Sequence, residues 1–240
     1  MKEETFRKLK EMYLHTMSAK YQELEQSATY NQLSASEVIA IMVDAEYDKR
    51  KSTKVNRLLR YARMKLTSAC IEDIEFSARR NLKKSDMESV LSGQYLQFHH
   101  NILISGATGV GKTYIACALV NQACRMGMPA FYYRSIRLVE YVLAEKAIGN
   151  YLKAVESLGK ARLLVIDDLG PDIMTKEQRS IFMDIIDERY MTASTVVASQ
   201  LPFEQWYAVF DEPTIADAIC DRLFHNGQKI QLNGDSMRKK

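Results

Sequence analysis

The residues best suited to chemistry form a glycine-rich segment at 106–113, which reads Gly-Ala-Thr-Gly-Val-Gly-Lys-Thr. It fits the pattern in which two glycines five residues apart precede lysine and a hydroxyl residue. Glycines let the backbone curl so that several N–H groups point at one anion, and a helix that begins there adds its positive end. The segment therefore predicts a loop that holds the phosphates of ATP.

Each residue of this phosphate loop has an expected role. We expect Lys112 to contact the terminal phosphates and to act in catalysis, and the Thr113 hydroxyl to bind Mg²⁺. The alternative is a glycine-rich turn that binds no nucleotide. It is disfavoured because the segment follows an apolar run and opens a helical pattern. The predicted ATP-binding residues are Gly106, Ala107, Thr108, Gly109, Val110, Gly111, Lys112, Thr113 and Tyr114.

Two neighbouring carboxylates, Asp167 and Asp168, end the apolar run that starts at Leu163. Two acids side by side at the end of a buried strand are costly unless a cation or a partner compensates them. Asp167 suits the coordination shell of Mg²⁺. Asp168 is then placed to orient or deprotonate the attacking water as a catalytic residue. The alternative interpretation is a pair of acids that caps the next helix.

Three further polar residues are candidates for contacts with the γ-phosphate. Gln200 follows the fourth predicted strand and is the preferred catalytic choice there, with Ser199 as the alternative. Arg222 ends a helix and Arg238 lies in the C-terminal tail. A guanidinium that reaches a γ-phosphate stabilises its charge in the transition state. The competing interpretations are a polar turn at 199–200, a surface ion pair for Arg222 and an unstructured basic tail for Arg238.

Apolar runs alternate with helical patterns after residue 99, which predicts an α/β domain. Because the strands are apolar throughout, we expect a parallel five-stranded sheet covered by helices on both faces. The predicted strands are 101–105, 130–134, 161–168, 194–199 and 229–232. The predicted helices are 112–126, 135–147, 175–191, 203–208 and 213–224.

The first 98 residues contain one glycine and no proline, a composition typical of packed helices. Helical spacing predicts a helix over 6–24, a second that starts at Ser34, a third over 55–66 and a short one near 84–92. We therefore expect two domains: a small helical domain at 1–95 and an ATPase core at 96–240.

A basic stretch at 49–65 carries eight cationic side chains and no acid. Such a surface suits the phosphates of duplex DNA without reading base sequence. Arg79, Arg80, Lys83 and Lys84 would extend it. The alternatives are a solvated helix face and a surface for an acidic partner protein. The predicted DNA-binding residues are Lys49, Arg50, Lys51, Lys54, Arg57, Arg60, Arg63 and Lys65.

The bulk composition of the 240 residues is that of an ordinary globular protein. Net charge is +3, and 47% of residues are hydrophobic. We find neither an apolar run of the roughly 20 residues that cross a bilayer nor a secretory signal. The expected location is the cytoplasm, without a membrane partner.

Several segments together resemble the IstB-like family of transposition helper ATPases, which is similar to DnaC-type helicase loaders. These segments are GATGVGKTYIA, LLVIDDLGP, VVASQLPFEQW, DAICDRLFHNGQKIQL and GDSMRKK. The resemblance covers nearly the whole chain and implies an AAA+ core without a C-terminal helical lid. It makes 106–113 Walker A, 167–168 Walker B, Gln200 or Ser199 sensor 1, Arg222 the arginine finger and Arg238 a sensor 2-like residue.

The same resemblance implies a function. A member of this family would oligomerise on duplex DNA with ATP sites at subunit interfaces, and would assist a DDE-type transposase in target selection and insertion. Most AAA+ proteins have Glu where this chain has Asp168, which implies slow hydrolysis that a partner or DNA stimulates. One alternative is a DnaC-like helicase loader that acts on single-stranded DNA. A metabolic P-loop kinase is disfavoured because the basic helical segment precedes the core, the wrong place for a phosphate lid.

Overall fold

The structure, a computed structural model, describes residues 2–170 and 172–237. The chain divides into two compact units, Met1–Arg57 and Leu58–Lys240. This division lies well before the domain boundary expected near residue 95. The reason is that buried side chains such as Ala62, Leu82 and Tyr95 belong to the hydrophobic core that also packs on the sheet.

The second unit contains five strands and most of the helices. The strands are β1 Asn101–Gly106, β2 Ala130–Arg134, β3 Leu163–Leu169, β4 Ser194–Ser199 and β5 Gly227–Leu232. The helices of the first part of the chain are α1 Lys2–Glu11, α2 His15–Gln26, α3 Ala35–Tyr61, α4 Glu88–Leu91 and α5 Gln94–Gln97. Those that follow are α6 Lys112–Arg125, α7 Ser135–Ala147, α8 Tyr151–Lys160, α9 Lys176–Arg189, α10 Trp206–Val209 and α11 Pro213–Phe224. Short 3₁₀ turns occupy Tyr30–Gln32, Ile71–Asp73, Ala78–Arg80, Ser85–Met87 and Phe203–Gln205.

The five strands form one parallel sheet in the order β2-β3-β4-β1-β5. The predicted parallel sheet flanked by helices is confirmed. Because all strands run the same way, their carboxyl ends meet at one edge. There Gly106 pairs with Leu232 and Arg134 pairs with Asp167. Since β4 lies between β1 and β3, the residue after β4 sits between the phosphate loop and the acidic pair.

The first unit differs from its predicted helices in two places. The opening helix breaks at Tyr13, which has a left-handed φ of 59°, so α1 and α2 are separate. The second and third predicted helices are one continuous helix, α3, of 27 residues. Within this unit the buried Glu46 accepts the backbone N–H groups of Thr16 and Met17, both at 3.0 Å, at the start of α2. Arg50 donates to the same carboxylate and lowers its pKa.

The helix α8 was missed by the sequence patterns. Gly149 and Asn150 precede it and Gly159 lies inside it, which are signals typical of a loop. Tertiary contacts override them, because Val155 and Leu158 pack into the core. The buried guanidinium of Arg189 donates to the carbonyls of Leu158, Gly159 and Ala161, which satisfies the last turn of α8. Across the described ranges, no helix is long and apolar enough to cross a membrane.

Candidate active site

A cleft of about 850 Å³ opens at the carboxyl edge of the sheet. That volume lies in the range of small-molecule and cofactor sites. Polar residues at one side of the cleft come from three strand ends, and they include Lys112, Asp168 and Gln200. The apolar residues that line the cleft are Leu66, Ile74, Tyr114, Ile115 and Met237. The cleft thus combines polar groups suited to phosphates with an apolar surface suited to a flat base.

The phosphate loop joins β1 to α6, as its pattern predicts. Helix α6 begins at Lys112, directly after Gly111 in a left-handed conformation. The Lys112 ammonium is buried and donates to the carbonyls of Gly106 at 2.6 Å and Ala107 at 2.8 Å. The lysine therefore lies inside the curve of its own loop, where a phosphate would replace these carbonyls as its partner.

Asp167 is fully buried at the end of β3 and accepts three hydrogen bonds. Its Oδ2 accepts the Thr113 hydroxyl at 2.8 Å and the Tyr132 hydroxyl at 2.6 Å, and its Oδ1 accepts the backbone N–H of Asp168 at 3.0 Å. Burial first, and the bond to Asp167 second, raise the pKa of Tyr132, so its hydroxyl stays a donor. Tyr132 is a site residue that the sequence did not reveal.

The donor set of Thr113 and Asp167 fits Mg²⁺. A hydroxyl and a carboxylate are hard oxygen ligands, and their oxygens lie 2.8 Å apart. Among the described residues, no group of three or more His, Cys, Asp or Glu side chains could hold a metal ion. Mg²⁺ needs only one or two ligands from the protein, because it keeps several waters and takes phosphate oxygens as its other ligands.

Asp168 lies at the mouth of the cleft and is held by Arg134, the last residue of β2. Its Oδ2 accepts the Arg134 Nε at 3.0 Å. Its φ of 56° is a left-handed value that few side chains adopt, and such outliers concentrate at functional sites. The sequence did not predict Arg134 at the site, because the strand order, in which β2 lies beside β3, could not be derived from it. A carboxylate bound in this way is restrained by its arginine.

Gln200 and Ser199, the two candidates after β4, have different surroundings. Gln200 lines the cleft, and its Oε1 accepts the hydroxyl of Thr108 in the phosphate loop at 2.6 Å. The Ser199 side chain is buried, and its hydroxyl donates to the Leu169 carbonyl. The geometry therefore favours Gln200 over Ser199 for a contact with the γ-phosphate.

Arg80 also lines the cleft, although the sequence placed it on an extended DNA surface. Its Nη2 donates to the carbonyl of Val110 in the phosphate loop at 2.9 Å, and its Nη1 donates to the Glu75 carbonyl. Burial lowers the pKa of Arg80, while Glu75 raises it. The backbone N–H of Met237 donates to the Gly109 carbonyl at 3.0 Å. Arg238, predicted as a nucleotide contact, lies outside the described residues.

Comparisons with known proteins agree with this geometry. Residues 7–240 match the family described as IstB-like ATP binding protein. The chain belongs to this family. It is 34% identical over 235 residues to an insertion-sequence ATP-binding protein of Sinorhizobium fredii, covering 98% of this chain and 96% of that protein. It is 33% identical over 202 residues to the ATP-binding protein of insertion sequence IS1162 from Pseudomonas fluorescens, covering 84% and 87%.

Solved structures share the fold of this IstB-like chain. The DnaC helicase loader matches with a TM-score of 0.55 and 15% identity, over 69% of this chain and 97% of that one. AMPPCP-bound DnaA from Aquifex aeolicus matches with a TM-score of 0.60 and 17% identity, over 71% of this chain and 52% of that one. At such identities the likeness establishes the AAA+ fold alone.

Arg222 of the IstB-like chain lies far from its own phosphate loop. Its carbonyl accepts the side chain of Asn101, the first residue of β1, at 3.2 Å. The loop follows the other end of β1, roughly 16 Å away at about 3.3 Å per residue. The Arg222 Nε pairs with Asp187 at 2.8 Å, and its guanidinium lies over the Tyr190 ring. The surface ion pair considered for Arg222 therefore exists, and its partner lies in α9.

The eight basic residues predicted to bind DNA are all exposed, but they do not form one helical face. Helix α3 ends at Tyr61, so Arg63 and Lys65 lie beyond it. Arg63 has a φ of 59°, and its guanidinium lies 5.0 Å from the ring centres of both Tyr133 and Tyr141. Arg50 is tied to Glu46. The exposed cations that remain on α3 are Lys49, Lys51, Lys54 and Arg57 in the first unit and Arg60 in the second.

Proposed function

We propose that this chain is a cytoplasmic ATPase that assembles on duplex DNA and assists a DDE-type transposase. The observation that carries the ATPase proposal is that Lys112, Thr113 and Asp168 line one cleft of nucleotide size. Behind them, the buried Asp167 accepts the Thr113 hydroxyl. Membership of the IstB-like ATP-binding family supports the same ligand.

The proposed reaction assigns a step to each side chain. Lys112 binds the terminal phosphates, while Thr113 and Asp167 hold Mg²⁺, which neutralises developing phosphate charge when it is bound. Asp168 accepts a proton from the attacking water or orients it. Gln200, which contacts the phosphate loop through Thr108, would lie beside the terminal phosphate when ATP is bound.

The proposal for DNA and a transposase rests on relatives and on charge. Relatives of this chain are described as ATP-binding proteins of insertion sequences. A transposase performs the strand chemistry of such an element, so an ATPase is suited to assembly and target choice. The exposed cations along α3 provide a surface for duplex phosphates.

The proposed assembly has its ATP sites at subunit interfaces. Arg222 lies at the sheet edge opposite its own cleft, so it cannot serve its own phosphate loop without large movement. A head-to-tail contact between copies brings one subunit's arginine edge to the next subunit's cleft. Arg222 would then stabilise the charge of a neighbour's γ-phosphate.

Steady-state hydrolysis of ATP with Mg²⁺, measured with and without duplex DNA, tests the enzymatic proposal. We expect slow turnover that DNA raises. Asp168→Asn is expected to lower turnover about 100-fold or more while ATP still binds, since general acid–base catalysis contributes on that scale. Lys112→Ala is expected to lose ATP binding. Turnover that survives in Asp168→Asn would place the base elsewhere.

A further inference from the structure

Two groups outside the phosphate loop bond to two consecutive carbonyls of that loop. The Arg80 guanidinium donates to the Val110 carbonyl at 2.9 Å. The Met237 N–H donates to the Gly109 carbonyl at 3.0 Å. Neither residue belongs to the loop motif, and they come from segments about 150 positions apart in the sequence.

These bonds fix the direction of two N–H groups. In a trans peptide the C=O and the following N–H point in opposite directions across one plane. The N–H groups of Val110 and Gly111 therefore point away from Met237 and Arg80 respectively. Gly109 has a φ of 91° and Gly111 a φ of 99°, and this turning of the backbone is typical of a concave anion site.

The two outer segments are also joined to each other. The Arg80 carbonyl accepts the backbone N–H of Asn233 at 3.0 Å, and the Asn81 side chain donates to the Gln231 carbonyl at 3.0 Å. Residues 78–81 and the chain from the end of β5 onward thus form one hydrogen-bonded layer beside the loop.

The layer lies close to two glycines of the loop, at which a larger residue would also be strained by the left-handed backbone. A Cβ at Gly111 would lie 2.7 Å from the Arg80 Nη2, and one at Gly109 would collide with the Ser236 side chain. The Arg80 Nε is buried and donates no hydrogen bond among the described residues. Its bonded partners are backbone carbonyls.

We propose that Arg80 and the segment Asn233–Met237 brace the phosphate loop from outside and thereby aim the N–H groups of Val110 and Gly111 at the nucleotide phosphates. This inference rests on the proposed binding of ATP and adds to it. Arg80 is a positioning residue that acts through the Val110 carbonyl. The exposed neighbour Arg79 makes no hydrogen bond to the phosphate loop among the described residues, so it serves as the matched control for ATP affinity.

The first test compares Arg80→Met with Arg79→Met, which remove the same charge. Isothermal titration calorimetry with ATP, ADP and adenosine measures the affinity of each. We expect Arg80→Met to weaken ATP and ADP about tenfold, on the scale of one lost hydrogen bond from a charged donor. Adenosine, which lacks phosphates, keeps its affinity, and Arg79→Met matches the wild type. Equal losses for ATP and adenosine, or equal affinities of the two variants, would overturn the proposal.

The second test removes the other arm of the brace without changing charge. Met237→Pro deletes the N–H that bonds to Gly109, while Met237→Ala keeps it. We expect the proline variant to bind ATP several-fold more weakly than the alanine variant, with the same adenosine affinity. Similar ATP affinities would show that the segment after β5 does not position the loop.

The outcome for the wild type separates this inference from the proposed function. If the wild-type chain binds neither ATP nor ADP, the proposed function fails and the brace fails with it. If the wild type binds ATP and all four variants bind it equally, only the brace is overturned. Thermal melting without nucleotide checks that the variants are folded. If Arg80→Met does not fold, the comparison of Met237→Pro with Met237→Ala tests the brace by itself.

Discussion

At the scale of single residues, Arg134 is the side chain that holds the proposed catalytic base, Asp168, in an ion pair. Its Nε lies 3.0 Å from Asp168 Oδ2, at the mouth of the cleft. The guanidinium occupies a carboxylate oxygen to which the attacking water would otherwise bond. We therefore expect this ion pair to slow hydrolysis until Arg134 takes another partner.

Replacement of Arg134 by alanine is expected to raise basal ATP turnover up to about fivefold, the scale of a half-exposed ion pair. Arg134→Lys keeps the charge and is expected to stay near the wild-type rate. Arg137→Ala is a matched control, because that exposed arginine pairs with Glu140. A fall in turnover in Arg134→Ala would mean that the arginine assists catalysis.

At the scale of elements, local sequence patterns predict where the strands lie in the chain but do not predict which strands lie side by side in the sheet. The bounds of β2 and β4 and the start of α6 follow from apolar runs and from the loop motif. The strand order does not follow from them, so Tyr132 and Arg134 could not be placed beside the acids. The sequence predicted Arg80 on a DNA surface, because a run of charges does not show that its side chain points to the phosphate loop.

Tyr95 in α5 gives a stability test of the core. Its ring is fully buried, and its hydroxyl has no hydrogen-bond partner among the described residues. We expect Tyr95→Phe to leave the free energy of unfolding unchanged or to raise it by about 1 kcal/mol, because an unsatisfied polar group is removed. Tyr95→Ala should lose about 3–5 kcal/mol through the cavity it leaves. Urea unfolding measures both, and a clear loss in Tyr95→Phe would reveal a bonded hydroxyl.

The helix α3 gives a test of the DNA surface. Lys51, Lys54 and Arg57 are exposed, and no acid pairs with them within the described part of the chain. Their combined replacement by alanine is expected to weaken duplex binding and to lower the slope of log affinity against log salt by about 3.

A control for this test removes the same charge elsewhere. Lys8, Lys20 and Lys160 are cations that already pair with neighbouring acids. Their combined replacement by alanine should leave the salt slope unchanged. Equal slopes for both triple variants would move the DNA surface away from α3.

At the scale of the whole molecule, the position of Arg222 predicts that hydrolysis needs two copies of the chain. A mixture of Asp168→Asn and Arg222→Ala contains interfaces in which an intact Asp168 faces an intact Arg222. An equal mixture is expected to recover about one quarter of the wild-type rate, because half of the subunits on each side are competent. Each variant alone should be nearly inactive. A mixture no faster than the mean of its parts would contradict the action of Arg222 on a neighbour's site.

ATP-dependent assembly on duplex DNA is tested most directly by particle mass. The mass is measured on labelled duplex and single-stranded DNA with ATP, ADP or no nucleotide. We predict large complexes on duplex DNA that form with ATP and fail to form in Lys112→Ala. Complexes that prefer single strands, or that ignore the nucleotide, would contradict the account and would favour a helicase loader.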